Sequence, residues 1–149
     1  MIKITWKPAP GETGAALLLA DATPARGPGS KICTNREREF ANQVQASAPP
    51  RGEAIEIFDR ANRTTSYAFT VMYEFSTYSE CDQFCDDLGD KLVGKGVLQL
   101  DYTGGGSRSL LGCWTSIRPV NQGVTAIVSY QFLGGAFVKG PASNLVVAI

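Results

Sequence analysis

The clearest pattern along the chain is alternation. From Ser66 to Phe75, Tyr67, Phe69, Val71, Tyr73 and Phe75 fall on one parity, and Ser66, Ala68, Thr70, Met72 and Glu74 on the other. A period of two predicts a strand with one face on a core. Ala54 to Phe58 alternates in the same way, with Ile55 and Ile57 against Glu56, and the polar stretch Asp59 to Arg63 between them predicts a turn, so the pair reads as a hairpin. Val97 to Tyr102 is a strand with Leu98, Leu100 and Tyr102 on one face, and Ser109 to Arg118 is another of open register. Pro119 to Gly123 reads as a turn, after which Val124, Ala126, Val128, Tyr130 and Phe132 share a face until Gly134 and Gly135 end the strand.

One segment changes period. Thr77-Tyr78-Ser79-Glu80 fits a capping box, in which the Thr hydroxyl and Glu carboxylate satisfy two orphan backbone donors. Tyr78, Cys81, Phe84, Cys85, Leu88 and Leu92 then recur at steps of three and four, which is a single helical stripe. Acids at 80, 82, 86, 87 and 90 lie mostly off that stripe, Lys91 and Lys95 suit the negative end of the helix dipole, and Gly94 and Gly96 predict its end.

The first third is less regular. Ile2, Ile4 and Trp6 alternate against Lys3 and Thr5 as a strand, and Leu17 to Leu19 predicts a second short one. Asp21 to Ser30 and Ala46 to Gly52 are rich in loop formers. Lys31 to Gln45 reads as a polar strand, with a short helix capped by Thr34 and Glu37 as the alternative. The apolar tail Asn144 to Ile149 is expected to dock. Together these elements predict one domain over residues 1–149: a mainly β (α+β) fold, an antiparallel β-sandwich or barrel with one flanking amphipathic helix.

The 149 residues carry 14 Lys plus Arg against 14 Asp plus Glu, so no global charge draws the chain to nucleic acid or acidic lipid. No apolar run approaches the roughly 20 residues that span a bilayer, and none reads as a signal peptide. The chain is therefore expected to fold in the cytoplasm, where Cys33, Cys81, Cys85 and Cys113 stay reduced.

Catalytic chemistry is thinly supplied. The chain has no histidine, which removes the commonest general base and metal ligand and rules out a Ser-His-Asp or Cys-His arrangement within it. The acids on the helix read as a solvated face, with an acidic partner or cation surface as the sharper alternative. Gly89 to Gly96 satisfies G-x-x-x-x-G-K, but Gly stands where Ser or Thr should hold magnesium, and the segment closes a helix where a phosphate loop would open one. The cysteines permit a four-thiolate zinc site, yet Cys81 and Cys85 sit on the apolar stripe, where thiols pack as small hydrophobes. No cofactor and no metal are expected. Arg60 and Arg63 read as a polar turn, or as partners for ion pairs between subunits.

The order strand, long loop, hairpin, helix, hairpin, long strand resembles the tail-tube fold of contractile and siphophage tails. The resemblance spans residues 54–137. It is carried by Ile55 to Arg63, Tyr67 to Phe75, the helix from Tyr78 to Leu92, Gly96 to Leu100 and Gly123 to Gly135. These look like the small distal-tail or tail-tip hub proteins, although no second domain of the kind larger distal-tail proteins carry is evident. The resemblance implies a structural virion protein and not an enzyme. Copies would form an oligomeric, hexameric ring, with other tail proteins as partners and DNA met only as it passes through a lumen. It also implies inter-subunit roles for the 31–52 arm (Arg36, Arg38, Phe40), for Arg60 and Arg63, and for Val146 and Ile149 in the apolar C-terminus. The alternative from another class is a monomeric β module that binds a small ligand or peptide.

Overall fold

The computed structural model describes residues 2–9, 14–22, 26–47 and 56–141, and of 42–47 and 56–63 the backbone course alone. The elements in chain order are β1 (Ile2–Pro8), β2 (Leu17–Ala20), β3 (Lys31–Ser47), β4 (Glu56–Glu74), α1 (Tyr78–Lys91), β5 (Lys95–Tyr102), β6 (Ser107–Gln122), β7 (Thr125–Gly134) and β8 (Val138–Lys139). The fold is mainly antiparallel β with a single flanking helix, as the pattern predicts.

The strands form one antiparallel sheet in the order β2-β1-β5-β6-β7-β4-β3, with β8 added to β6. Its two ends curl toward each other. Asp21 N–H donates to the Lys31 carbonyl at 2.8 Å, which ties the end of β2 to the start of β3. The result is a barrel joined at one corner and open along the rest of that seam. The alternating residues supply its core: Ile4 and Trp6 from β1, Tyr67 to Tyr73 from β4, Leu98 and Leu100 from β5, and Ala126 to Phe132 from β7. Phe69 stacks on Tyr130 with centroids 4.8 Å apart, and Trp114 meets Phe132 edge-on at 4.9 Å.

Helix α1 packs against the barrel with Cys81 and Leu88 buried, and Phe84 lies against Tyr73 and Phe75. Thr77 Oγ1 accepts from Glu80 N–H at 3.2 Å, as a capping box requires, while the Glu80 carboxylate accepts from Ser76, one residue before the cap. Tyr78, placed on the apolar stripe by its spacing, is 69% exposed. It sits in the first turn, beyond the part of the helix that faces the core. Gly89 has open space where a Cβ would go and no positive φ. Gly89→Ala is therefore expected to stabilise the protein by about 0.5–1 kcal/mol, read as a rise in urea midpoint at unchanged m-value.

Two expected turns are strand instead. Asp59 to Arg63 lies within the continuous β4, whose hairpin partner is β3 and not the 54–58 segment. The stretch is polar but holds no Gly or Pro to reverse the chain. Between the pairs Asn42↔Arg63 and Val44↔Asp59, Gln43 alone faces residues 60–62, so the surplus is absorbed as a bulge. Pro119 to Gln122 belongs to β6, which β7 pairs to its end, and only Gly123, at φ +66°, and Val124 make the turn. Pro119 is tolerated because β5 flanks β6 only as far as Cys113, so one side of β6 has no ladder to break there. Likewise β3 runs on to Ser47, into the expected 46–52 loop, and Gly96 is a β5 residue and not a helix stop.

A short polar chain crosses the core. The Tyr73 hydroxyl lies 2.6 Å from the Leu19 carbonyl and 2.6 Å from the Tyr130 hydroxyl. A carbonyl can only accept, so Tyr73 donates to Leu19 and Tyr130 must donate to Tyr73. Tyr130→Phe removes the terminal donor and is expected to cost about 1 kcal/mol. Tyr73→Phe strands both the carbonyl and the Tyr130 hydroxyl and is expected to cost about 2–3 kcal/mol by chemical denaturation. Burial raises both phenol pKa values above the ordinary range. Below pH 10 both states keep the protons and no stability is lost. Above it the unfolded chain ionises first, so stability should fall with a slope that steepens toward roughly 3 kcal/mol per pH unit for the pair once the unfolded phenols are ionised, seen in urea melts between about pH 10 and 11.5.

Candidate assembly surface

β3 and β4 are the longest strands, at 17 and 19 residues, and they outrun the barrel. β7 flanks β4 only up to the pair Thr65↔Gly134. From there outward, 56–64 of β4 pairs with β3 alone. A two-stranded ribbon about 25 Å long, at roughly 3.3 Å per residue, therefore projects from the body. Beyond Lys31 the other side of β3 meets no strand among the described residues. A strand side without a neighbouring strand is a template for another strand.

A single residue decides which face each β3 side chain takes. Cys33 pairs with Val71 and Asn35 with Thr70, so Thr34 is an extra residue on β3, with its hydroxyl 3.4 Å from the Thr70 carbonyl. After this bulge Arg36, Arg38 and Phe40 lie opposite Phe69, Tyr67 and Thr65, whose side chains are all buried. They are on the core side of the sheet, at its rim. Glu37, Glu39 and Ala41 lie opposite Ala68, Ser66 and Thr64, on the outer side. The run Arg-Glu-Arg-Glu thus becomes an edge with a basic inner face and an acidic outer face.

The inner face has partners in its own chain. Arg36 Nη1 reaches the Tyr67 hydroxyl at 3.5 Å, and the Arg38 guanidinium lies 5.8 Å from the Phe137 ring centroid, within cation–π range. Tyr67 packs edge-on against Phe137 at 5.5 Å. Burial lifts the Tyr67 phenol above its usual pKa, and the Arg36 charge opposes that rise. Phe40 is 49% exposed. Among the described residues the one ion pair is Arg26–Glu74, at 3.0 Å on the loop before β3, so Arg36, Arg38, Glu37 and Glu39 have no salt-bridge partner among those residues. Arg60 and Arg63 lie on β4, in and beside the second bulge, and so on the ribbon. Val146 and Ile149 lie outside the described residues.

The open seam carries two shallow hollows that share Cys33 and Arg36. One, of about 290 Å3, is bounded by Cys33 to Arg38 and Tyr67. The other, of about 360 Å3, is bounded by Ile2, Tyr102, Thr103 and Gly104. The four thiols are free: Cys33 on β3, Cys81 and Cys85 side by side on α1, Cys113 exposed on β6. Burial, with Cys81 beside it, pushes the Cys85 thiol up to about 11, which is unfavourable for a thiolate ligand or nucleophile. Among the described residues no three His, Cys, Asp or Glu side chains converge as a metal would need, and no helix is long and apolar enough to cross a membrane.

A second strand edge was not apparent from the sequence. β6 continues past β5 from Trp114 to Gln122, and among the described residues α1 alone approaches on that side, where Cys85 Sγ lies 3.0 Å from Asn121 Oδ1 and the Asn121 amide donates to Asp82. Thr115, Ser116, Arg118, Pro119 and Val120 are exposed, Val120 by 46%. The signal that was there to read is the low apolar content of 115–122 beside the strict alternation of β7. No protein-family model and no curated protein matches the chain, so its function is argued from these edges and the ribbon.

Proposed function

We propose that the chain is a structural subunit that joins copies of itself into a closed ring, as the tail-tube-fold proteins of bacteriophage tails that its sequence resembles do, and that it serves in a virion tail at the distal end or in the tube. The observation that carries this reading is the β3–β4 ribbon. It leaves the barrel, adds no residue to the described core, and exposes a long strand edge. A lone domain gains little from such a feature and exposes itself to aggregation, whereas an assembling subunit uses it for contact. Arg36, Arg38, Phe40, Arg60 and Arg63 all lie on the ribbon or its root, and Arg is well shaped for interface ion pairs. Zero net charge leaves little repulsion between copies, and a chain without histidine suits a mechanical part.

The test is the native mass of the purified chain across concentrations, with the symmetry of its particles by electron microscopy. A ring of defined copy number is expected. A protein that stays at 15.9 kDa at all concentrations, and remains so with tail proteins present, refutes the reading. The seam hollows around Arg36 favour one other reading, a monomeric module for a small polar ligand or a peptide. Saturable ligand-dependent thermal stabilisation of a monomer would support it.

A further inference from the structure

Resting on the assembly reading, we infer that β3 pairs with a different strand of the neighbouring copy, the open edge of β6, and that Glu37 and Glu39 meeting Arg118 select this contact over β3 pairing with itself. A strand added to a sheet keeps its inner residues with the inner residues of its partner. On β3 the inner charges, Arg36 and Arg38, are both positive, and the outer charges, Glu37 and Glu39, are both negative. In face-matched registers that lay this stretch against itself, parallel or antiparallel, any two of these charges that face each other carry the same sign. Like charges directly opposite destabilise a strand pair. The alternating tetrad, which looks self-complementary in one dimension, therefore disfavours a two-fold β3–β3 dimer.

The β6 edge has the opposite character on the matching face. Ser116, Arg118 and Val120 lie opposite Gln131, Ser129 and Ile127, on the outer side, while Ile117 and Pro119 lie opposite Tyr130 and Val128, on the core side. An antiparallel register with Glu37 opposite Arg118 puts Glu39 opposite Ser116 and Asn35 opposite Val120. The same register puts Arg38 and Arg36 opposite the uncharged Ile117 and Pro119. Every inner residue meets an inner residue, the outer face gains an ion pair with a second carboxylate nearby, and no like charges meet. Pro119 withholds one donor from the ladder, and the contact with α1 at Asn121 marks the limit of the accessible edge. Because the two edges differ, the interface is head-to-tail and propagates from copy to copy, as ring closure requires.

The test is charge exchange in the full chain, read by native mass and sedimentation, with far-UV circular dichroism and Tm as controls for folding. Glu37, Glu39 and Arg118 are not core residues, so the variants are expected to fold. Glu37→Lys/Glu39→Lys should weaken assembly at least tenfold, Arg118→Glu should do the same, and the triple variant should recover most of it. High salt should weaken wild-type assembly and leave Tm nearly unchanged. A wild-type chain that is monomeric throughout refutes the assembly reading itself. A wild-type ring whose mass is indifferent to Arg118→Glu, or a folded triple variant that stays apart, overturns the β3–β6 contact alone. A symmetric dimer of the wild type overturns it as well.

Discussion

Gly112→Ala is expected to lower the melting temperature by about 10 °C, the largest stability change of any single methyl group in the barrel. Gly112 on β6 and Gly134 on β7 are paired directly, and Gly112 pairs Gly96 of β5 on its other side. A Cβ on Gly112 would overlap the Leu133 carbonyl oxygen and lie 2.7 Å from the Gly134 Cα. These are backbone atoms of the facing strand, so no side chain can swing aside, and relief requires the two strands to part. Overpacking of this kind costs typically about 1–3 kcal/mol and the rigid case lies at the upper end. For a chain of this length each kcal/mol is worth about 2–4 °C. Gly105→Ala should behave differently: the site is open, and the cost there is the strain of a side chain at φ +98°. Differential scanning calorimetry of the two variants separates the causes. A Gly112→Ala protein melting within 2 °C of wild type would mean that β6 and β7 do not approach in this way.

Much of the barrel was legible because its central strands alternate without exception. Tyr67 to Tyr73 and Ala126 to Phe132 have a large apolar residue at nearly every second position, and each of these residues is buried. The helix was legible because Thr77 and Glu80 cap it and its stripe has another period. What was not legible depends on pairing partners. Asp59 to Arg63 has turn-like composition, but β3 pairs with the residues on both sides of it, so the polar surplus becomes a bulge inside one long strand. Gly96 looked like a helix stop. It is a strand residue where the Trp6 indole occupies the space a side chain would need, and Gly112, within its strand, meets the facing backbone of β7 as closely. No local pattern encodes that approach.

The candidate surface was half legible. The resemblance pointed to Arg36, Arg38 and Phe40 as inter-subunit residues, but the face they take was not readable from the sequence. Without the extra residue at Thr34, the parity that puts Lys31 and Cys33 beside Tyr73 and Val71 would carry on to put Asn35, Glu37 and Glu39 against the core side. The bulge reverses that assignment. It gives the rim its guanidinium groups, one on the Tyr67 hydroxyl and one over Phe137, and turns the carboxylates outward. The electrostatic character of the edge is thus set by one inserted backbone unit, a feature that composition and periodicity do not register.

Removing the distal ribbon should abolish self-association while leaving the barrel folded. The suitable variant replaces residues 43–62 with Asn-Gly, which closes the paired residues Asn42 and Arg63 with a two-residue turn of the type that matches strand twist. The described core is drawn from other residues: β4 contributes from Tyr67 onward, and β3 contributes Cys33 at its edge. The described residues of the excised segment make no strand pair outside the ribbon. Its loss should therefore shift Tm by no more than about 5 °C, a stability change of the order of 1 kcal/mol. Its effect on association should be of another order, because the ribbon offers both a long row of backbone donors and acceptors and the Arg60 and Arg63 positions. Sedimentation equilibrium should report a monomer at concentrations where the full chain is oligomeric. The contrast with the charge variants is informative: if Arg118→Glu weakens assembly and the ribbon deletion does not, the edge at Arg36 to Glu39 suffices and the distal ribbon serves a different neighbour. If the deletion unfolds the protein, the ribbon is part of the domain's own stability, and the argument that it exists for contact between subunits fails.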